Sequence, residues 1–198
     1  MKQILIGTTN LAQFNDYKEM LKEYPIEVVS LYNLKIPEPK TASEDFEENA
    51  VAKAKYYFQK SGIPTLADDG GFEIDALGGA PGVKTEKWLG KYKTDEELIE
   101  KIYRELKKAK TDNRSCRMRV TLALASPFGV MTSNASVDGI IAPDASKKKV
   151  EGHPYRSVIY FPNYNKYFSE LSRQELDILD HRKAAVEKIK DIIHELSK

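Results

Sequence analysis

The apolar positions of the chain change their spacing several times, which predicts alternating strands and helices. Residues 4–6 are continuously apolar, which is typical of a short buried strand. Apolar side chains then repeat every three or four positions from Leu11 to Leu21, which indicates a helix that ends before Pro25. Residues 26–31 predict a second strand, so the chain begins as an α/β protein.

A longer helix is predicted after a loop that contains two prolines. Thr41 or Ser43 is expected to cap its start, and Gly62 is expected to end it. Its apolar stripe consists of Phe46, Ala50, Ala54 and Tyr57. Glu48 and Lys53 lie off this stripe. A carboxylate near the start of a helix usually only balances the helix dipole, but Glu48 is also a candidate ligand for a cation.

The stretch from Leu66 to Val83, LADDGGFEIDALGGAPGV, concentrates acidic residues and glycines. Leu66 and Ala67 are expected to end a short buried strand directly before Asp68 and Asp69. The alternation that follows predicts another strand with one exposed face, and GGAPG predicts a tight turn. Two adjacent aspartates at a strand end suit a hard cation, or they form a solvated acidic corner of a hairpin. The pattern leaves both interpretations open.

The rest of the chain predicts further strands and helices. These are helices with capping boxes at Thr94 and Glu97 and at Ser172 and Glu175, a strand at 118–124, one or two strands within 130–141, and one final helix over 180–196. His181 and Arg182 fall in the first turn of that final helix. Cations there oppose the helix dipole, so their placement costs free energy unless an anion lies nearby.

Near the start of the chain, Thr8, Thr9 and Asn10 form a polar loop between the first strand and the first helix. Free backbone N–H groups at a helix start commonly bind anions, and these side chains would add donors. The signal is weak because the loop has no P-loop and no G-x-G-x-x-G pattern. A helix that is merely capped is the alternative.

Composition limits the class of protein. The 198 residues are 41% hydrophobic and carry a net charge of +1, which gives no electrostatic case for binding nucleic acid or a membrane surface. The single cysteine, Cys116, excludes an internal disulfide and is expected to pack inside a strand. No apolar run approaches the ~20 residues of a membrane helix. We therefore expect one soluble domain over residues 1–198 in the cytoplasm.

Taken in order, these motifs resemble the inosine triphosphate pyrophosphatase (Ham1-like) family. The resemblance is carried by TTN at 8–10, FEENAVAKA at 46–54, ADDGGFEIDALGGAPGV at 67–83, NKYFSEL at 165–171 and DHRKAA at 180–185. It implies hydrolysis of deaminated purine nucleoside triphosphates such as ITP, dITP and XTP to the monophosphate and pyrophosphate. It also implies an elongated α/β domain of two lobes with a central twisted mixed sheet, flanking helices and a nucleotide cleft between the lobes. A homodimer is implied as well.

The resemblance assigns metal binding and catalysis to three residues. Glu48 and Asp69 correspond to the carboxylates that hold Mg²⁺, with Mn²⁺ as an alternative, and Asp69 corresponds to the general base. Lys53 corresponds to the lysine that approaches the phosphates, and Asp68 supports the same corner. Such a site would neutralise charge and align an attacking water, which is the main requirement of phosphoryl transfer.

The resemblance also assigns substrate contacts. Thr8, Thr9 and Asn10 match the loop that touches the phosphates. Gly70 follows the catalytic aspartate, Tyr155 falls on the aromatic residue that stacks on the base, and Arg156 is beside it. Lys166, His181 and Arg182 match the closing side of the pocket, where the His–Arg pair contacts the base.

Four positions depart from the family pattern. Gln13 and Leu176 stand where lysines are usual, Gly70 stands where a serine is usual, and GHPYRS at 152–157 stands where G-F-G-[YW]-D-P is expected. Each lost phosphate contact is worth about 1–3 kcal/mol. Arg156 replaces an acceptor with a guanidinium, which can contact only acceptors. Base preference is the property that these changes affect most directly.

Three hypotheses follow from the survival of Glu48, Lys53 and Asp69 beside these departures. The chain is an active Mg²⁺-dependent pyrophosphatase with a shifted substrate choice, or a catalytically weak paralogue that binds a nucleotide or a protein partner. In the third, the metal chemistry is retained and Arg156 contacts a phosphate in place of the missing lysines.

Overall fold

The computed structural model describes residues 2–90 and 94–198. It contains the strands β1 Gln3–Ile6, β2 Glu27–Ser30, β3 Thr65–Ile74, β4 Ser115–Ser126, β5 Gly129–Ile141, β6 Ile159–Phe161 and β7 Lys166–Tyr167. The helices are α1 Leu11–Met20, α2 Phe46–Ser61, α3 Thr85–Leu89, α4 Asp95–Lys108, α5 Arg173–Leu179, α6 His181–Glu187 and α7 Lys190–Ser197. The predicted α/β class is confirmed.

The strands form one mixed sheet in the order β2-β1-β3-β4-β5-β6-β7. β1 is parallel to both β2 and β3, whereas β6 is antiparallel to β5 and to β7. In the parallel part, Leu5 lies opposite Val29 and Thr65. Parallel strands are usually covered on both faces, and the completely buried Ile4–Ile6 run agrees with that rule.

The chain divides into two compact units. The first comprises the residues up to Asp69, Val120–Ala135 and His181–Lys198, and the second comprises Gly70–Arg119 and Ser136–Asp180. The main core of the first unit includes Ile6, Tyr17, Leu66, Leu122 and Ile193. The core of the second unit includes Phe72, Ile102, Cys116, Ile159 and Phe168. Burial raises the pKa of the Cys116 thiol to about 12, and the cysteine is a packing residue as expected.

Three expectations about elements are wrong. β3 does not end before the acidic pair but runs unbroken through Asp68 and Asp69 to Ile74. Gly70 and Gly71 remain within the strand, which continues to the buried Phe72. The aspartates therefore lie within a strand and not at a hairpin corner.

The other two wrong expectations concern the N-cap of α2 and the final helix. Asp45, rather than Thr41 or Ser43, caps α2, because its carboxylate accepts hydrogen bonds from the N–H groups of Glu47 and Glu48. The final helix is divided into α6 and α7, since Ile189 leaves the helical conformation at φ −115°, ψ 13°. The break keeps Ile189 itself buried in the first core.

Both capping boxes, at Thr94 with Glu97 and at Ser172 with Glu175, form as predicted. No helix within residues 2–90 and 94–198 is long and apolar enough to span a bilayer.

Candidate functional site

Asp68 and Asp69 are adjacent in β3 and face opposite sides of the sheet in the first unit. Successive strand residues alternate sides, and the two residues before the aspartates show which side is which. Leu66 packs in the main core with Tyr17, whereas Ala67 packs against α2. The contacts of the two aspartates follow the same division, so one acidic pair has two separate environments.

Asp69 is held by two residues of α2. Lys53 Nζ lies 2.8 Å from Asp69 Oδ1, and Asn49 Nδ2 donates to Asp69 Oδ2 at 3.0 Å. Lys53 Nζ also donates to the Asp68 carbonyl at 3.0 Å. Because Asn49 and Lys53 are four residues apart on one helix, their side chains point to the same place. The Asp69 carboxylate is 18% exposed, which leaves it open to a small ligand.

An alanine cluster brings α2 close enough for these contacts. The cluster consists of Ala50, Ala54, Ala67, Ala123 and Ala125. Small side chains on both the helix and the strands let the two backbones approach closely, so a lysine and a short asparagine can both reach the strand. The predicted apolar stripe of α2 is therefore also the surface that fixes the geometry of Asp69.

Asp68 is held from the opposite side of the sheet. Tyr17 Oη donates to Asp68 Oδ2 at 2.8 Å, and Arg182 Nε donates to the same oxygen at 3.3 Å. The Asp68 and Arg182 side chains are each only 7% exposed. A buried carboxylate and a buried guanidinium are tolerable only when each faces the other, so this ion pair is an internal support.

Arg182 and His181 lie at the start of α6 and are both buried, which is uncommon for an arginine. The sequence suggested that cations at this helix start need a nearby anion. Asp68 is such an anion for Arg182. The predicted contacts of His181 and Arg182 with a base remain a prediction.

Glu48 directly precedes Asn49 in α2 and is exposed. Its Oε2 accepts a hydrogen bond from Ser43 Oγ at 2.5 Å. Among the residues that the structure describes, no group of three or more His, Cys, Asp or Glu side chains is arranged to hold a metal. The joint grip of Glu48 and Asp69 on a cation remains a prediction.

The loop before α1 is largely occupied by its own contacts. Asn10 Oδ1 accepts hydrogen bonds from the N–H groups of Ala12 and Gln13, which is an ordinary N-cap. Thr8 Oγ1 donates to Gln13 Oε1 at 2.8 Å, and Thr9 Oγ1 lies 3.3 Å from a Glu38 carboxylate oxygen. Asn10 therefore caps α1, and a phosphate contact by Thr8, Thr9 or Asn10 stays a prediction.

The remaining predicted residues lie in the second unit. Gly70 is exposed directly after Asp69. Tyr155 packs against Phe72, with 4.8 Å between ring centroids, and burial raises the pKa of Tyr155 to about 12. Its ring is thus part of the core, and stacking on a base would use what remains accessible.

Arg156 and Lys166 are both paired within the second unit. Arg156 is buried, with Nη2 3.5 Å from Asp180 Oδ2 and its guanidinium carbon 5.1 Å from the centre of the Phe168 ring. Lys166 Nζ lies 2.6 Å from a Glu175 carboxylate oxygen. The hydrogen bond from Lys166 is the main cause that lowers the pKa of Glu175 to about 2.

Of the side chains that contact Asp68 and Asp69, Tyr17 and Asn49 were not among the predicted site residues. Tyr17 reads as a core position of α1, and Asn49 reads as part of a helical motif without chemistry of its own. The signal that could have found them is a polar group at a position that the hydrophobic period predicts to be buried, because a buried hydroxyl or amide needs a hydrogen-bond partner.

Comparisons with known proteins identify the family of this chain. The model of the family described as "Ham1 family" matches residues 4–192. The dITP/XTP pyrophosphatase of Desulfotalea psychrophila is 36% identical over 189 residues, which cover 94% of this chain and 83% of that protein. That of Bacillus cereus is 32% identical over 199 residues, covering 98% of this chain and 96% of that protein. The structure of a HAM1 protein from Coxiella burnetii is 29% identical with a TM-score of 0.86, covering 98% of this chain and all (100%) of that one. The chain belongs to the Ham1 family.

Proposed function

We propose that this protein is a nucleoside triphosphate pyrophosphatase that hydrolyses deaminated purine nucleotides, such as dITP and XTP, to the monophosphate and pyrophosphate. The relatives at 32–36% identity named dITP/XTP pyrophosphatases support this class of substrate. The observation that carries the proposal is the Asp69 carboxylate, held on one oxygen by Lys53 and on the other by Asn49. A fixed, ionised and partly exposed carboxylate is what an attacking water needs as a proton acceptor.

In this proposal Asp69 accepts the proton of the water that attacks the α-phosphorus. The Lys53 ammonium at 2.8 Å and the Asn49 amide at 3.0 Å hold the carboxylate in one rotamer. The same ammonium contributes positive charge close to where negative charge develops on the phosphate oxygens. No nucleophilic serine or cysteine is required.

The residues present fit a Mg²⁺ ion, with Mn²⁺ as the alternative. Mg²⁺ is usually bound by one or two carboxylates with waters and substrate phosphates completing the shell. Asp69 fits because each of its two oxygens uses only one lone-pair direction for Lys53 or Asn49, and Glu48 fits because it is exposed one residue before Asn49. When bound, the ion would neutralise phosphate charge and lower the pKa of a bound water.

Arg156 is the charged residue among the departures from the family pattern, and its charge is balanced by the Asp180 carboxylate. It faces Asp180 at 3.5 Å and lies over Phe168, both within the second unit. Contact with a phosphate would require Arg156 to leave a buried carboxylate, which is costly. We therefore favour a packing role for Arg156 over compensation for the lysines absent at Gln13 and Leu176.

A nucleotide panel tests the proposal. The purified protein is incubated with dITP, XTP, ITP, dATP and dGTP in the presence of Mg²⁺, and pyrophosphate and orthophosphate are measured separately. We expect pyrophosphate from the deaminated nucleotides dITP, XTP and ITP, at least tenfold less from dATP and dGTP, and loss of turnover with EDTA. A lack of turnover of every nucleotide with Mg²⁺ and with Mn²⁺ would reject the enzyme and favour the nucleotide-binding paralogue.

Two further parts of the proposal concern assembly and location. We propose a homodimer, which light scattering of the purified chain tests directly. We also propose a reducing cytoplasmic location, in line with one buried free cysteine.

A further inference from the structure

The hydroxyl of Tyr17 is in an unusual place for a core tyrosine. Tyr17 is 1% exposed and packs in the apolar core of the first unit with Leu21 and Leu66. Phenylalanine would fill the same space, so the ring alone does not explain the hydroxyl. Its partner at 2.8 Å is Asp68 Oδ2, the oxygen that also accepts from Arg182 Nε at 3.3 Å.

Two donors that converge on one carboxylate oxygen restrict both the carboxylate and the guanidinium. The oxygen has two lone-pair directions, and Tyr17 occupying one of them leaves a single favourable direction for Arg182 Nε. The Nε contact fixes the plane of the guanidinium, whose other N–H groups are on the two terminal nitrogens. Loss of the hydroxyl would let the Asp68 carboxylate rotate, and Arg182 would turn with it.

From this geometry we infer that Tyr17 is a positioning residue for Arg182, acting through Asp68. The inference rests on the proposed function and on the contact between Arg182 and the base that the family resemblance predicts. A guanidinium in a fixed plane donates to an oxo group and meets only repulsion from an exocyclic amino group, because both would be donors. Tyr17 thereby contributes to the choice of deaminated purines without touching the substrate.

The first test is Tyr17→Phe, compared with Tyr24→Phe as a matched control. Tyr24 is a buried tyrosine of the same apolar core, 6% exposed, and it packs against His194. We expect Tyr17→Phe to raise KM for dITP about tenfold with kcat nearly unchanged, and to lower the preference for dITP over dATP by a similar factor. The control should keep both values. An unchanged KM and preference in Tyr17→Phe would overturn the inference.

A double-mutant cycle shows whether Tyr17 acts through Arg182. In an Arg182→Lys background, which has no Nε donor, Tyr17→Phe should produce no further increase in KM. If the factors by which the two substitutions raise KM multiply in the double variant, Tyr17 acts by another route and the inference is overturned.

A measurement without substrate separates this inference from the proposed function. The Nε–H resonance of Arg182 is identified in the whole protein by its loss in Arg182→Lys, and its exchange with solvent is measured. We expect exchange at least tenfold faster in Tyr17→Phe and unchanged in Tyr24→Phe. If Tyr17→Phe does not fold, Tyr17→Leu, which also removes the hydroxyl and keeps an apolar side chain, gives the same reading, with faster exchange expected. Unchanged exchange rejects the positioning role even if dITP is turned over, whereas faster exchange in a protein without turnover rejects only the proposed function.

Discussion

Asp68 and Asp69 are chemically identical neighbours whose surroundings give them opposite properties. Asp68 is 7% exposed and faces a buried arginine and a tyrosine hydroxyl. Asp69 has an 18% exposed side chain and faces a lysine and an asparagine from α2. Successive side chains of a strand point to opposite faces of the sheet, so one of two adjacent residues can form a structural ion pair while the other is available for catalysis. The comparison shows that position in the pleat, and not residue type, separates these roles.

The largest expected effect is on the chemistry side of the pair. Asp69→Asn should lower kcat/KM for dITP by about 10²–10⁴-fold, because the amide cannot accept a proton from water. Its melting temperature should change little, since the residue is partly exposed. Steady-state pyrophosphate release and thermal unfolding measure the two effects.

Glu73→Gln is the matched control for this experiment. Glu73 is an acid of the same strand that is paired with Arg117 and Arg119. Turnover by Asp69→Asn close to that of the unchanged protein would contradict the division of roles between the two aspartates.

The second effect is on the support side. Asp68→Ala should lower the free energy of unfolding by about 3–5 kcal/mol, because it removes the carboxylate that faces a buried guanidinium. Chemical denaturation at neutral pH measures this change. Asp68→Leu combined with Arg182→Met should recover part of the loss, since an apolar pair replaces the ion pair. Equal unfolding free energies for Asp68→Ala and Asp69→Asn would remove the distinction drawn here.

The sequence alone predicts elements whose signals are local. The capping box of Thr94 and Glu97 and the apolar stripe of Ala50, Ala54 and Tyr57 are found where expected. Both depend on residues three or four positions apart, so the pattern contains the whole interaction. Family motifs likewise assigned Lys53 and Asp69 to one site, and the structure places Lys53 Nζ 2.8 Å from Asp69 Oδ1.

Interactions between distant segments were less accessible to sequence reasoning. Tyr17 and Asp68 are 51 positions apart, and Asp68 and Arg182 are 114 apart. The hydrophobic period of a segment shows which side of the helix or strand is buried, but not which other segment packs against that side. The acidic pair also suggested the end of a strand, because two buried-strand positions rarely carry charge. Partners on each face, which only the fold supplies, allow β3 to continue.

A third change acts on the α2 side of β3 through packing. A Cβ added at Gly7 would lie 2.9 Å from Tyr57 Cδ2 and 3.0 Å from Ala67 Cβ. Gly7→Ala should therefore cost about 1–3 kcal/mol of stability and displace α2 from the strand. Because α2 holds Asp69, we also expect a lower kcat at temperatures well below the melting temperature.

Gly139→Ala is the matched control, since its Cβ would meet Ile159 Cγ2 at 2.7 Å in the second unit. It should lower the melting temperature comparably while leaving kcat at low temperature closer to that of the unchanged protein. The reverse order of effects on kcat would show that the α2 side of β3 does not control the geometry of Asp69.

The smallest expected effect is at a partly exposed ion pair, Lys166 with Glu175, which sets a baseline for the buried one at Asp68. The pKa of Glu175 is lowered from 4.5 to about 2, first of all by the hydrogen bond from Lys166. Since the folded pKa lies below the unfolded pKa, the pair stabilises the fold above pH 4.5, and this contribution is lost as the pH falls towards 2. Glu175→Gln should thus melt slightly below the unchanged protein at about pH 6, and the gap should narrow at about pH 3. Because solvent screens this pair, its gap should be far smaller than the loss in Asp68→Ala. A difference in melting temperature that stays constant between the two pH values would mean that Lys166 does not stabilise the ionised Glu175. A destabilisation as large as that of Asp68→Ala would mean that burial is not what distinguishes the two ion pairs.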